Sequence, residues 1–351
     1  MIAVAWSHWR DYWYPESAIS YGELGVDTFF VISGFLITGI LLDNRSETNP
    51  MQILRQFYAR RVLRIFPLFY ATLAVALLLD ASTVRDTWYW HAMYLSNFLF
   101  YTHGWLGQTS HFWSLSVEEQ FYLLWPLVMI FFPRRFLLPA ILSGILFAPL
   151  YEMNLNFAHP GCFSSILMPS CMGTLGIGAL LAYGVRQNFN MKRLSLTLLL
   201  AGLSGCALWE VSGVPKTFWP LSQLAESCVL AYLVYSAANG FSGPLGWLLG
   251  HAPLNYLGKI SYGLYIIHNF AKPLCVSFLV LCGNPLWMWK LYSVPTIAIA
   301  AYTVLTIGLA SFSWYLLEKP INKLKRKFPY PADKEIVPLN LPRTDIPNLS
   351  P

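Results

Sequence analysis

The chain predicts an all-α fold, a polytopic helical bundle whose solvent is the bilayer. Three observations carry this. Only 11% of the 351 residues are charged, against about 25% in a soluble domain. Hydrophobic residues make up 56% and mean hydropathy is +0.48. The apolar residues also run on for close to the roughly 20 positions that a helix needs to cross a membrane.

In chain order the spanning candidates are residues 26–42, 65–79, 117–132, 136–151, 166–185, 194–211, 221–238, 255–282 and 294–317. Residues 1–8 are apolar but too short to span, and read as the outer end of a tenth, incomplete helix whose missing part precedes Met1. Ten helices put both termini in the cytoplasm. They place fifteen Lys and Arg in inner loops and four (Arg10, Arg85, Lys216 and Lys290) in outer ones, as the positive-inside rule requires. This count leaves residues 88–105, rich in aromatics, as a re-entrant or interfacial segment on the outer side. Pro273 is expected to divide residues 255–282 into two half-helices. Residues 1–327 form the membrane domain, and residues 328–351, with six prolines, a disordered cytoplasmic tail. The location that follows is the cell (inner) membrane, crossed many times.

The net charge of +6 does not point to nucleic acid, because the basic residues lie between apolar runs and form no single soluble patch. Six cysteines without a C-x-x-C pair support no zinc ribbon or redox dithiol, and no metal is expected.

The densest chemical signal is residues 111–126, HFWSLSVEEQFYLLWP. Ser116 followed by Glu119 has capping-box spacing, which assigns Glu119 to a helix N-terminus. Glu118 is not used in this way, and an ionisable group on a membrane helix needs a task or a partner. The bases Arg60, Arg61 and Arg64 precede Ile65-Phe66-Pro67. Positive-inside anchoring would explain any three bases there. Arg61 and Arg64 nevertheless share a helix face, and guanidinium groups grip phosphates with forked hydrogen bonds. A phosphate-rich ligand arriving from the cytoplasm fits that pair.

Residues 25–37 carry Asp27 at their outer edge and Ser33-Gly34 in mid-helix, which read as a cap and as close helix packing. His268 lies midway along an apolar run, where a hydrogen-bonded core role competes with a functional one. His8 matters most, since in this topology it shares the outer half of the membrane with Asp27, Glu118 and His268. A histidine there is suited to take a proton from a hydroxyl. Glu226 is a further candidate, with a structural hydrogen bond equally open to it.

At this point the chain resembles the acyltransferase-3 family of integral membrane acyltransferases, from Ile2 to about Pro320. The phrases that carry the resemblance are FFVISGF at residues 29–35, RVLRIFP at 61–67, FWSLSVEEQFY at 112–122, SYGLYIIH at 261–268 and EKP at 318–320. It implies O-acylation of surface polysaccharides and related acceptors, a first-helix histidine matching His8, and an arginine pair handling the acyl-CoA donor matching Arg61 and Arg64. The family's first-helix arginine, eleven positions before that histidine, would precede Met1. Some members carry an added SGNH hydrolase-like domain, for which the residues after Phe328 leave no room.

The expectation is therefore an enzyme that moves an acyl group, most simply acetyl from acetyl-CoA, to a hydroxyl of a lipid-linked or exported glycan. A membrane transporter or flippase of a glycan or lipid is the alternative from another class, ranked lower because inverted repeats and a nucleotide-binding loop are not found. A non-enzymatic scaffold is disfavoured by the number of intramembrane ionisable residues.

Overall fold

The computed structural model describes residues 1–10, 21–45, 49–78, 82–241 and 243–330. The described residues are 87% helical, and no strand occurs among them. A helix meets this solvent's demands because it satisfies its backbone hydrogen bonds within the segment.

The elements that position the site are α1 (Ile2–Arg10), α2 (Tyr21–Asn44), α3 (Pro50–Leu78), the short α4 (Ser82–Ala92) and α5 (Ser96–His103), α6 (Phe112–Phe131), α7 (Arg134–Ala158) and α8 (Met168–Arg186). After these come α9 (Met191–Ser212), α10 (Trp219–Ala238), α11 (Gly243–Leu249), α12 (Ala252–Lys259), α13 (Ser261–Leu281), α14 (Pro285–Ser293) and α15 (Pro295–Ser313). A wider π-helical turn, Trp314–Glu318, extends α15.

Among the described residues seven stretches are long and apolar enough to cross a membrane: α2, α3, α7, α8, α9, α13 and Pro295–Lys327. At 20 residues, or about 30 Å, α6 and α10 pack in the same bundle and carry Glu118, Glu119 and Glu226. The aromatic stretch before α6 forms α4 and α5, which at 11 and 8 residues are too short to span.

At the centre, α2 packs on α1, α6, α8 and α10. It meets α8 backbone to backbone, for a Cβ added at Gly34 would overlap the Leu175 carbonyl oxygen and one at Gly178 the Val31 carbonyl oxygen. Without a hydrophobic drive between helices in lipid, such close approach is what holds them. Gly34 thus has the packing role its sequence suggests. Ser33 does not, because its hydroxyl is hydrogen-bonded in the site described below.

Three expectations need correction. Pro273 lies inside an unbroken α13, and the chain instead breaks at Ile260, between α12 and α13; neighbouring helices of a membrane bundle absorb the hydrogen bond that a proline removes. Ser116 caps nothing, because α6 starts four residues earlier, at Phe112. Its Oγ donates to the Phe112 carbonyl at 3.1 Å and accepts from Ser96 N–H at 3.2 Å, tying α6 to α5. Phe328 to Tyr330, assigned to the tail, pack on α3: Arg60 Nη1 donates to the Phe328 carbonyl at 3.4 Å and the guanidinium lies 4.3 Å over the Tyr330 ring. Residues 331–351, with the rest of that tail, lie outside the described residues.

His91 locks the short helices together. Its Nδ1 pairs with Ser96 Oγ at 2.8 Å and its Nε2 with Thr109 Oγ1 at 3.2 Å. Burial pushes its pKa down to about 4.

Candidate active site

Helical periodicity brings chosen side chains of four helices to one internal face. Val26, Phe29, Phe30 and Ser33 of α2 recur at three- and four-residue steps, as do Ser114, Glu118 and Tyr122 of α6, Arg61 and Arg64 of α3, and Ser261 and Tyr265 of α13. Together they line a cavity of about 180 Å³. Ser33 Oγ donates to Glu118 Oε1 at 2.7 Å and lies 3.2 Å from Tyr122 OH. Tyr262 OH donates to the Ile65 carbonyl at 2.7 Å, fixing α13 against α3 beside the arginines. The Arg61 guanidinium lies 5.7 Å over the rings of both Phe57 and Tyr122. Its Nε is buried with no hydrogen-bond partner among the described residues.

A second cavity, of about 460 Å³, opens on the other side of Val26 and Tyr265, which line both. His8 of α1 and Asp27 of α2 face it, with Glu23, Ser110, His111, Gln223 and Glu226. Trp105, Trp113, Trp219 and Phe163 complete an aromatic wall. Gln223 Nε2 donates to both carboxylate oxygens of Asp27, at 3.3 and 3.4 Å, so this buried acid is bound to α10 and does not merely cap α2.

Three histidines cluster here, and their hydrogen bonds distinguish them. The His111 ring lies 4.8 Å from that of His268, which lies 5.2 Å from that of His8. His111 is 1% exposed and held on both nitrogens: Nε2 donates to the Ile266 carbonyl at 3.1 Å, so Nδ1 is the acceptor that meets Asn269 Nδ2 at 3.0 Å. His268 is 0% exposed; Nδ1 donates to the Tyr265 carbonyl at 2.7 Å, which leaves Nε2 an acceptor without a hydrogen-bond partner among the described residues. The His8 side chain is exposed to the cavity. Of the three it is the one a ligand reaches most directly.

The residues singled out from sequence therefore divide into two groups. His8 and Asp27 line the larger cavity with His268 packed behind, while Glu118 lines the smaller one with Arg61 and Arg64. Glu118 does not share the cavity of His8, because the contacts of α6 turn it toward Ser33. Arg60 stands outside both cavities, engaged by Phe328 and Tyr330. Sequence reasoning missed His111, Gln223 and Tyr265. The first and last stand inside motifs already marked, so their signal was present; Gln223 had none.

Residues 1–316 match the family described as "Acyltransferase domain". Similar relatives are YrhL of Bacillus subtilis, 28% identical over 86% of this chain and 50% of that protein, and O-acetyltransferase OatA of Staphylococcus aureus, 28% identical over 87% and 53%. Peptidoglycan O-acetyltransferase OatA of Listeria monocytogenes is 24% identical over 86% and 51%. The chain spans about half the length of these curated relatives. No solved structure matches it. With the match running through both cavities and every helix that lines them, this chain belongs to the acyltransferase-3 family.

Proposed function

We propose that the protein is a membrane O-acetyltransferase that moves an acetyl group from cytoplasmic acetyl-CoA to a hydroxyl of an extracytoplasmic or lipid-linked glycan, of which peptidoglycan is the first to test. One observation carries the reading: two cavities meet at Val26 and Tyr265, one with a guanidinium pair and the other with His8 among carboxylates and tryptophans. The names of the OatA relatives support the acetyl group and, for the Listeria protein, the peptidoglycan acceptor. The excess of basic residues in the loops assigned inside supports a cytoplasmic donor.

The smaller cavity suits an anionic donor, since two guanidinium groups face one carboxylate there and Arg61 Nε has a hydrogen bond still to make. Arg61 and Arg64 would hold the phosphates. When bound, acyl-CoA supplies an acyl group activated as a thioester. In the larger cavity the tryptophans offer flat apolar faces to a sugar ring and the carboxylates accept from its hydroxyls. His8 takes the proton of the attacking hydroxyl while the new C–O bond forms, and returns it to the sulfur as the C–S bond breaks. The Nε2 of His268 beside it, without a hydrogen-bond partner among the described residues, orients or relieves the charged ring.

The test incubates the purified chain in lipid nanodiscs with radiolabelled acetyl-CoA and peptidoglycan fragments. Alkali-labile label on a sugar hydroxyl is expected. Intact acetyl-CoA and unlabelled glycan would overturn the assignment and favour a transporter.

A further inference from the structure

The boundary between the two cavities is fixed. Among the described residues only Val26 and Tyr265 line both. The Tyr265 phenol is pinned: it pairs with Ser114 Oγ, and of these two hydroxyls, 3.1 and 3.2 Å from the His111 carbonyl, one donates to that carbonyl and the other to its partner hydroxyl. On its other side the Phe29 ring stands edge-on at 6.0 Å. Val26, 7% exposed, is β-branched and stiff at χ1. A wall made of a hydrogen-bonded phenol and a packed valine does not swing aside for a longer chain.

We propose that Val26 and Tyr265 form a sieve that limits the transferred acyl group to acetyl, by leaving no room for carbons beyond the carbonyl's methyl where donor and acceptor meet. This rests on the donor and acceptor assignments above. The C–O bond to the acceptor forms and the thioester C–S bond breaks at this boundary, with the hydroxyl proton passing to His8 and on to the leaving sulfur. The acyl carbon must therefore lie beside these two side chains, against which each added methylene presses. In an apolar site one methylene discriminates by roughly 10- to 200-fold.

The experiment measures direct binding of non-transferable ketone analogues of acetyl-, propionyl- and butyryl-CoA to the full chain in nanodiscs, alongside transfer rates from the three thioesters. Wild-type protein should lose about tenfold or more in affinity at the first added carbon. Val26→Ala should bring the propionyl analogue within about threefold of the acetyl one measured in the same variant. An unaltered chain-length series in a folded Val26→Ala that still binds the acetyl analogue overturns the sieve. If Val26→Ala loses its cooperative thermal transition, Val26→Ile serves instead: it should steepen the discrimination, and an unchanged series refutes the proposal. Equal binding of all three analogues by wild type refutes the sieve and leaves the donor site standing, whereas binding of none removes the donor site and the sieve with it.

Discussion

Replacing His8 with alanine should lower acetyl transfer by on the order of 10²- to 10⁴-fold, the usual cost of removing a general base, while leaving the bundle folded. The separation of those two effects follows from the structure. His8 is exposed to the larger cavity, so truncating it opens no hole in the core and should change stability by under about 1 kcal/mol. His268→Ala differs, because it empties a fully buried position and removes a side-chain hydrogen bond to the Tyr265 carbonyl, a loss of about 0.5 to 1.5 kcal/mol before the cavity left behind is counted. His111→Ala would release two partners, the Ile266 carbonyl and Asn269. The assay is transfer to a defined glycan by purified protein in nanodiscs, with thermal unfolding of each variant in parallel. The expected pattern is a stable, inactive His8 variant beside destabilised His111 and His268 variants. A His8→Ala protein of wild-type stability that kept more than a tenth of the transfer rate would refute the assignment and move the base to His268.

Arg61→Ala and Arg64→Ala should each weaken binding of a non-transferable acetyl-CoA analogue by about 1.5 to 3 kcal/mol, with lysine restoring only part; Arg60→Ala, whose side chain is turned to Phe328 and Tyr330, should bind the analogue as wild type does. Gly178→Ala places a Cβ 2.8 Å from Phe35 N and into the Val31 carbonyl oxygen, so α2 and α8 must part; thermal denaturation should show a loss of about 1 to 3 kcal/mol, and an unchanged midpoint would exclude a tight crossing there. His91 gives a pH signature of stability. Its folded pKa of about 4 lies below the unfolded value of about 6.5, so on acidification the unfolded chain takes up this proton first. Stability should fall by up to roughly 3 kcal/mol as pH drops from 6.5 to 4, and less in His91→Asn; equal slopes in the two proteins would disprove the assignment.

Composition and periodicity by themselves determined the membrane bundle, the short non-spanning stretch before α6 and the family, because hydropathy over a helix length and local motif spacing are properties of contiguous residues. The same local information named His8, Asp27, Glu118, His268, Arg61 and Arg64. It could not sort them. Whether Glu118 keeps company with His8 or with the arginines depends on how α6 is rotated against α2, a choice made by the Ser33 hydroxyl 85 positions away in the chain. Arg60 and Arg61 are neighbours in sequence, yet one is taken by Tyr330 and the other by a cavity, because adjacent residues on a helix face different directions. The capping reading of Ser116 failed for a related reason: the pattern is local, but the start of α6 is not fixed by it, and a buried contact with α5 uses the hydroxyl instead. Tyr265 shows the limit most sharply. Nothing in its motif distinguishes it from Tyr262 until α6 and α2 close around it, since a wall between two cavities exists only where separate helices meet.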